Sequence, residues 1–244
     1  MGSLDRLQAE MRSGVVNPHQ SVPEIILRCL NVDPAKRPTL LELQLEFESP
    51  EVRKSLIDTS ENDFGLASQG LIGLGMPEVV VKTLAASAST RSPTTRINIA
   101  IALAQTGDLA LAEQQYMQLA AEGADVAEPR AINDLRRGLF ERSLETLVEL
   151  IELRPADVGL RISASTAANE LCKYKQALEM LKPAWEADPG NPSVLYQRAY
   201  TLIALRRCSA AKMAVERYMK VVGRSELYNS LLEKMKVCCP GLYK

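Results

Sequence analysis

The chain has few of the side chains on which enzyme and metal sites are usually built. Its 244 residues include a single histidine, His19. A zinc site made of several histidines is therefore impossible, and any catalytic triad that needs histidine would have to use this one residue. Histidine-dependent chemistry is thus confined to one position near the N-terminus.

The five cysteines do not have the spacing of a metal site or of a regular disulfide framework. No two of them form a C-x-x-C pair. We therefore expect unpaired thiols, either buried or without a function. The role of the adjacent pair near the C-terminus stays open. The five are Cys29, Cys172, Cys208, Cys238 and Cys239.

Composition and charge are those of an ordinary soluble protein. Apolar residues make up 46% and charged residues 24% of the sequence, and the formal net charge is -1. Without an overall basic charge, neither nucleic acid nor an anionic membrane is an expected partner. No signal peptide is recognisable, and no apolar stretch approaches the roughly 18 residues of a membrane span, so we predict a cytoplasmic protein.

The strongest pattern in the sequence is an internal repeat with a period of about 34 residues. Four positions, separated by three or four residues, recur in three successive copies. Further copies lie upstream, one from Leu109 to Leu119 and a weaker one around Leu74 and Gly75. The recurring residues are Phe140, Ser143, Leu147 and Leu150, then Tyr174, Ala177, Leu181 and Ala184, then Cys208, Ala211, Val215 and Tyr218.

Small residues recur at two positions of each copy, which predicts a pair of closely packed helices. Two helices joined by a short turn approach closely only where one presents a small side chain to the other. The small residues of first helices are Ala100, Ala131, Ser165 and Ala199, and those of second helices are Ala112, Ser143, Ala177 and Ala211.

Residues typical of helix starts precede several of these helices. Ser92 and Asn191 are each followed by proline, and Asp108 follows a glycine, so all three are predicted N-caps. A last amphipathic helix at 225–236 is predicted to close the array. Its apolar face consists of Leu227, Leu231, Leu232 and Met235.

This pattern resembles the tetratricopeptide repeat family over about residues 60–237. The resemblance implies an all-α fold, a right-handed α-α superhelix of about five helical hairpins with a capping helix. Sel1-type and other helical-hairpin repeats are the alternative, although their periods differ. The predicted hairpins are 60–92, 93–123, 124–157, 158–191 and 192–224, followed by the cap at 225–237 and a tail at 238–244.

The N-terminal segment does not follow the repeat. Two capping boxes, Ser21 with Glu24 and Thr39 with Glu42, predict two helices. Proline residues between them are expected to end the first helix and to start the second.

This segment resembles the end of the C-terminal lobe of protein kinases. The matching stretches are Ile26-Leu-Arg-Cys-Leu30 and Asp33-Pro-Ala-Lys-Arg-Pro38. The resemblance implies two or three helices of a kinase-lobe remnant at residues 1–50, joined to the repeats by a linker at 51–59. The residues of its structural motif are Asp33, Pro34, Arg37 and Pro38.

The other elements of phosphoryl transfer are absent from this chain or out of order. His19 is followed by Gln20, so the kinase catalytic loop does not exist. The sequence Gly70-Leu-Ile-Gly-Leu-Gly75 lacks the spacing of a phosphate loop. Asp63-Phe-Gly65 copies the metal-binding motif of kinases but follows the lobe motif instead of preceding it, so we interpret it as part of a repeat helix. We expect no catalytic residue, cofactor or metal ion.

These observations predict a non-catalytic protein–protein interaction module. We expect it to be the C-terminal part of a larger serine/threonine kinase, where it would recruit substrates or partners. The alternative function is a protein kinase activity that belongs only to a longer parent protein. A free-standing protein that kept the last kinase helices as a cap is a further alternative.

The family resemblance also implies a groove lined by first helices, predicted at 94–105, 125–136, 159–170 and 193–204. A protein or peptide is the expected partner, and a kinase domain is a second candidate. The groove has mixed charge. The adjacent pairs Arg136-Arg137 and Arg206-Arg207 each lie near a turn, so we interpret them as solvated. The candidate groove residues are Ile101, Gln105, Glu128, Arg136, Asn169, Glu170, Tyr196 and Tyr200.

Overall fold

The computed structural model describes residue 42 and the ranges 61–84 and 91–242. Every regular element in these ranges is helical, which confirms the predicted all-α class. The α-helices are α1 (Glu61–Gly73), α2 (Pro77–Leu84), α3 (Pro93–Thr106), α4 (Leu109–Ala121), α5 (Ala127–Arg136), α6 (Phe140–Leu153), α7 (Val158–Glu170), α8 (Tyr174–Ala187), α9 (Pro192–Ala204), α10 (Cys208–Val222) and α11 (Glu226–Cys238), and a 3-10 turn follows at Pro240–Leu242.

The chain divides into two compact units, residues 1–126 and 127–244. In the first unit α1 packs against α2, and α3 packs against α4 and against the hairpin before it. In the second unit α5 pairs with α6, α7 with α8 and α9 with α10, and α11 packs against both helices of the last hairpin. Helices α3, α5, α7 and α9 are the first helices of their hairpins, and their ends lie within two residues of the four predicted ranges.

The predicted small residues lie where the two helices of a hairpin meet. All eight are buried, with at most 1% of their surface exposed. At one of these contacts the Ser143 hydroxyl donates to the main-chain carbonyl of Ala131 over 2.8 Å. A hydroxyl reaches the backbone of a neighbouring helix only when the two helices lie very close, so the small residues set the spacing within a hairpin.

Helices begin directly after the three predicted N-cap residues. The side chains of Ser92 and Asn191 accept hydrogen bonds from main-chain amides of the first helical turn, as predicted. Asp108 occupies the N-cap position of α4, but its side chain makes no capping hydrogen bond. Two more caps, Asp157 before α7 and Ser225 before α11, bond in the same way.

The turn inside each hairpin contains one residue with a positive φ. In the second unit these residues are Gly138, Cys172 and Arg206, which are 34 residues apart and have φ values of 78°, 56° and 55°. Such a Schellman ending favours glycine, since other residues are strained there. Each turn is closed by a main-chain hydrogen bond, from Leu139 to Asp134, from Lys173 to Ala168 and from Arg207 to Leu202.

The capping helix departs from its predicted apolar face at one position. Leu231 and Met235 are buried and Leu232 is half-buried, but Leu227 is 52% exposed. Leu227 lies in the first turn of α11, and its exposure shows that the prediction for this residue is wrong.

The predicted kinase-lobe remnant at 1–50 and the linker at 51–59 lie outside the described residues, apart from the exposed helical residue Glu42. Asp63 and Gly65 belong to α1, in agreement with our interpretation of the sequence Asp-Phe-Gly as part of a repeat helix. The exact boundaries of the repeats stay a prediction.

Substituting the strained turn residue Arg206 by glycine is expected to stabilise the protein. Arg206→Gly should raise the free energy of unfolding by about 0.5–1 kcal/mol, because relief of roughly 1–2 kcal/mol of left-handed strain exceeds the entropy that glycine adds to the unfolded chain. Urea denaturation measures the change. Glu179→Gly, at an exposed position inside α8, is the control and should destabilise by about 1 kcal/mol. Destabilisation by both variants would contradict the assignment of strain.

Candidate functional site

The first helices of the second unit form a continuous layer. Helix α7 contacts α5 and α9, and α9 contacts α11. The second helices cover one side of this layer, so the other side displays the outward faces of α5, α7, α9 and α11. We call this side the first-helix surface.

A ladder of polar side chains joins α7 to α9. The Asn169 amide donates to the Thr201 hydroxyl over 2.9 Å, and that hydroxyl lies 3.1 Å from the Asn169 carbonyl oxygen. The amide of Gln197 continues the ladder by donating to the Thr166 hydroxyl over 2.9 Å. Asn169 and Thr201 are buried, so loss of either partner would leave a polar group without water. The ladder therefore fixes how α7 and α9 lie beside each other.

Aromatic rings and one lysine lie together where α9 meets α11. The ring centres of Tyr196 and Tyr218 are 5.9 Å apart. The Lys234 ammonium lies 4.3 Å from the centre of the Tyr200 ring and donates to its hydroxyl over 3.3 Å. Burial raises the pKa of Tyr196, an effect that the charge of Lys234 opposes. Tyr196 and Tyr200 are only half-buried, so part of each ring faces solvent.

A third tyrosine extends this group toward the end of α7. The Tyr174 hydroxyl donates to the sulfur of Cys172 over 3.3 Å, and this bond together with burial raises the pKa of Tyr174 to about 12. Electrostatic interaction with Tyr200 and Glu170 adds to this rise of the pKa. We call Tyr174, Tyr196, Tyr200 and Lys234 the tyrosine surface.

Two of the eight predicted groove residues, Tyr196 and Tyr200, lie in the tyrosine surface, and Glu170 is exposed at the end of α7. Asn169 instead faces α9 and is only 5% exposed, because its side chain forms the hydrogen bonds of the ladder. Glu128 forms an ion pair with Arg154, the residue directly after α6, over 2.7 Å.

The remaining three candidates lie apart from this group. Arg136 is exposed at the end of α5. In the first unit, Ile101 is half-buried and Gln105 exposed on α3.

Sequence reasoning missed Lys234 and Tyr174 as members of the site. Lys234 lies 34 residues after Tyr200, so extending the repeat register into the capping helix would have found it. Tyr174 had been placed in a recurring packing position at the start of a second helix. Its hydroxyl donates to the sulfur of Cys172 in the turn directly before it.

The prediction that the cysteines are unpaired is wrong for two of them. Cys208 and Cys239 form a disulfide, with Cα atoms 5.6 Å apart. The bond joins the first residue of α10 to the residue that ends α11, and so ties the helix that carries Lys234 to the last hairpin. Cys172 is a free, exposed thiol and Cys238 a free, half-buried one.

The described parts of the chain contain no group of three or more histidine, cysteine, aspartate or glutamate side chains that could hold a metal ion. They also contain no helix with the length and apolar character needed to cross a membrane.

Comparison with known proteins bears on the fold. A tetratricopeptide repeat family model matches residues 168–235. This range includes the last three residues of α7, all of α8, α9 and α10, and most of α11. No curated protein matches the sequence. The family match therefore includes every residue of the tyrosine surface.

Several solved structures are similar to this chain. A tetratricopeptide repeat protein from Parabacteroides merdae has a TM-score of 0.62 and 16% identity, over 96% of this chain and 91% of its own. Two mutant forms of MamA each have a TM-score of 0.51. One is 16% identical over 68% of this chain and 94% of its own. The other, from RS-1, is 20% identical over 70% and 95%. These likenesses establish a tetratricopeptide-type fold.

Reduction of the disulfide is expected to destabilise the last hairpin and the capping helix. Cys208 and Cys239 are 31 residues apart, and closing a loop of that length is worth about 3–4 kcal/mol in the chain-entropy account. Dithiothreitol should therefore lower the melting temperature of the protein. It should have no such effect on Cys208→Ala, while the control Cys172→Ala should respond like the unaltered chain. An unaltered chain insensitive to dithiothreitol would contradict this role for the bond.

Proposed function

We propose that this chain is a non-catalytic protein–protein interaction module that binds a peptide segment of its partner on the tyrosine surface. The observation that carries the proposal is the group of half-exposed rings and one ammonium that neighbouring first helices bring together. Tetratricopeptide-type folds in general serve as protein-binding scaffolds.

The chemistry of this surface suits a peptide. Tyrosine rings offer rigid apolar area together with a polar hydroxyl, so they bind with little loss of side-chain entropy. Lys234 adds a positive charge at one side, while Glu170 supplies a negative charge near Tyr174. The ladder of Asn169 and Thr201 holds the supporting helices in place, which lowers the cost of ordering the site on binding.

The kinase relationship is a further proposal that rests on sequence alone. We propose that the chain is the C-terminal part of a larger serine/threonine kinase, in which the repeats recruit substrates or partners to the kinase domain. The support is Asp33-Pro-Ala-Lys-Arg-Pro38 and the neighbouring Ile26-Leu-Arg-Cys-Leu30. The coding sequence upstream of Met1 tests it: an in-frame catalytic loop and metal-binding motif would support a kinase parent, and their absence would oppose it.

A cytoplasmic location stays a prediction. The disulfide between Cys208 and Cys239 bears on it, since structural disulfides persist mainly in oxidising compartments.

Peptide binding is tested by selecting a displayed peptide library against the full-length chain. Enriched peptides are expected to bind the unaltered chain. Tyr200→Ala and Lys234→Ala should each weaken binding at least about tenfold, because they remove the ring and the charge at the centre of the tyrosine surface. Calorimetric titration with one enriched peptide measures the loss.

The matched control is Lys212→Ala, at an exposed position on the second helix α10, which should leave the affinity unchanged. Circular dichroism checks that all variants keep the helical fold. The proposal fails if no peptide is enriched, or if binding does not depend on Tyr200 and Lys234.

A further inference from the structure

The single tryptophan of the chain contacts two arginines that come from different helices. Trp185 lies on α8. The guanidinium carbons of Arg198 on α9 and Arg217 on α10 are each 4.7 Å from the centre of a Trp185 ring. Trp185 and Arg198 are half-buried and Arg217 is exposed. We call these three residues the Arg–Trp–Arg cluster.

This cluster is distinct from the tyrosine surface although both use α9. An α-helix turns by about 100° per residue. Arg198 therefore points about 160° away from both Tyr196 and Tyr200, toward the second helices α8 and α10. The two sites lie on opposite sides of one helix.

The cluster concentrates positive charge. In the described ranges, other arginines that are buried or bind buried groups have carboxylate partners, as Arg96 has Glu122 and Arg142 has Asp134. Arg198 and Arg217 form no ion pair with a carboxylate of the described residues. Their guanidinium groups both adjoin the same indole, and burial lowers the pKa of Arg198, so part of this charge has lost its water.

The N–H groups of a guanidinium lie in its own plane and point outward from its edge. When its face lies against an aromatic ring, these N–H groups therefore remain open to an acceptor. Planar carboxylates and phosphoryl groups accept two such hydrogen bonds at once. We propose that the Arg–Trp–Arg cluster binds the oxyanion of an acidic segment on a partner protein, supplied by a carboxylate or a phosphoryl side chain.

The surroundings favour a short acidic segment over a nucleic acid. Glu186 and Glu216, both exposed, are the sequence neighbours of Trp185 and Arg217. Their charge would repel a long polyanion, and the net charge of the chain is -1. Nucleic acids are bound by neutralising several phosphates along a basic surface, whereas this cluster has two cations.

The test uses the full-length chain and three probes at constant ionic strength: inorganic phosphate, a hexaglutamate peptide, and the same peptide with one central phosphoserine. Duplex DNA and anionic vesicles are titrated in the same way for comparison. Calorimetric titration measures binding, and the emission of Trp185 reports contact at the cluster, since no other tryptophan contributes. We expect saturable binding of at least one peptide, with an emission change over the same concentration range. The peptide that binds more tightly shows whether the cluster prefers a carboxylate or a phosphoryl group.

Arg198→Gln with Arg217→Gln should weaken that binding at least tenfold. Arg206→Gln with Arg207→Gln removes the same charge from an exposed pair near the turn before α10, and should leave binding unchanged. Arg198→Lys with Arg217→Lys keeps the charge without the planar stack, and should retain part of the affinity. If the glutamine variant loses its helical circular dichroism signal, the lysine variant is used to test the proposal instead.

Three outcomes would overturn the proposal. They are no saturable binding of either peptide, equal weakening by the two pairs of glutamine substitutions, or binding of duplex DNA or anionic vesicles in preference to the peptides. A change in melting temperature alone, without binding, would leave the two arginines with a structural role and would also refute it.

Discussion

The close approach of two helices at a pair of small residues is the constraint on which the rest of the structure depends. The two small residues of a hairpin are 12 positions apart, and Ser143 shows how close the helices come, since its hydroxyl reaches the carbonyl of Ala131. A larger side chain at such a contact would push the helices apart or strain them. The spacing of neighbouring first helices would then change, and with it the ladder of Asn169 and Thr201 that supports the tyrosine surface.

Features that recur with the 34-residue period could be predicted from the sequence, because each copy repeats the same packing problem. The helices and the small contact residues belong to this group. Features that occur once could not be predicted in this way. Cys208 and Cys239 meet only because α11 folds back against the last hairpin. Arg198 and Arg217 are 19 residues apart, a separation that does not follow the repeat. Asn169 fits the groove pattern in sequence, yet its side chain satisfies a buried partner instead.

Helix α9 contributes side chains both to the tyrosine surface and to the Arg–Trp–Arg cluster. Residues four apart share a face of a helix, while residues two apart point to nearly opposite sides. Tyr196 and Tyr200 therefore join the first-helix surface, whereas Arg198 reaches Trp185 among the second helices. Because both sites share this helix, a partner that displaced α9 at one of them would also disturb the other.

The disulfide has a consequence for how the array comes apart. The last helix of a repeat array has a neighbour on one side only, so unravelling tends to begin there. The bond from Cys208 to Cys239 holds the far end of α11 at the beginning of α10, so the final helix has little freedom to peel away while the hairpin before it stays folded. Loss of structure from this end must then involve three helices together, which makes the C-terminal edge a single cooperative block instead of a fraying end.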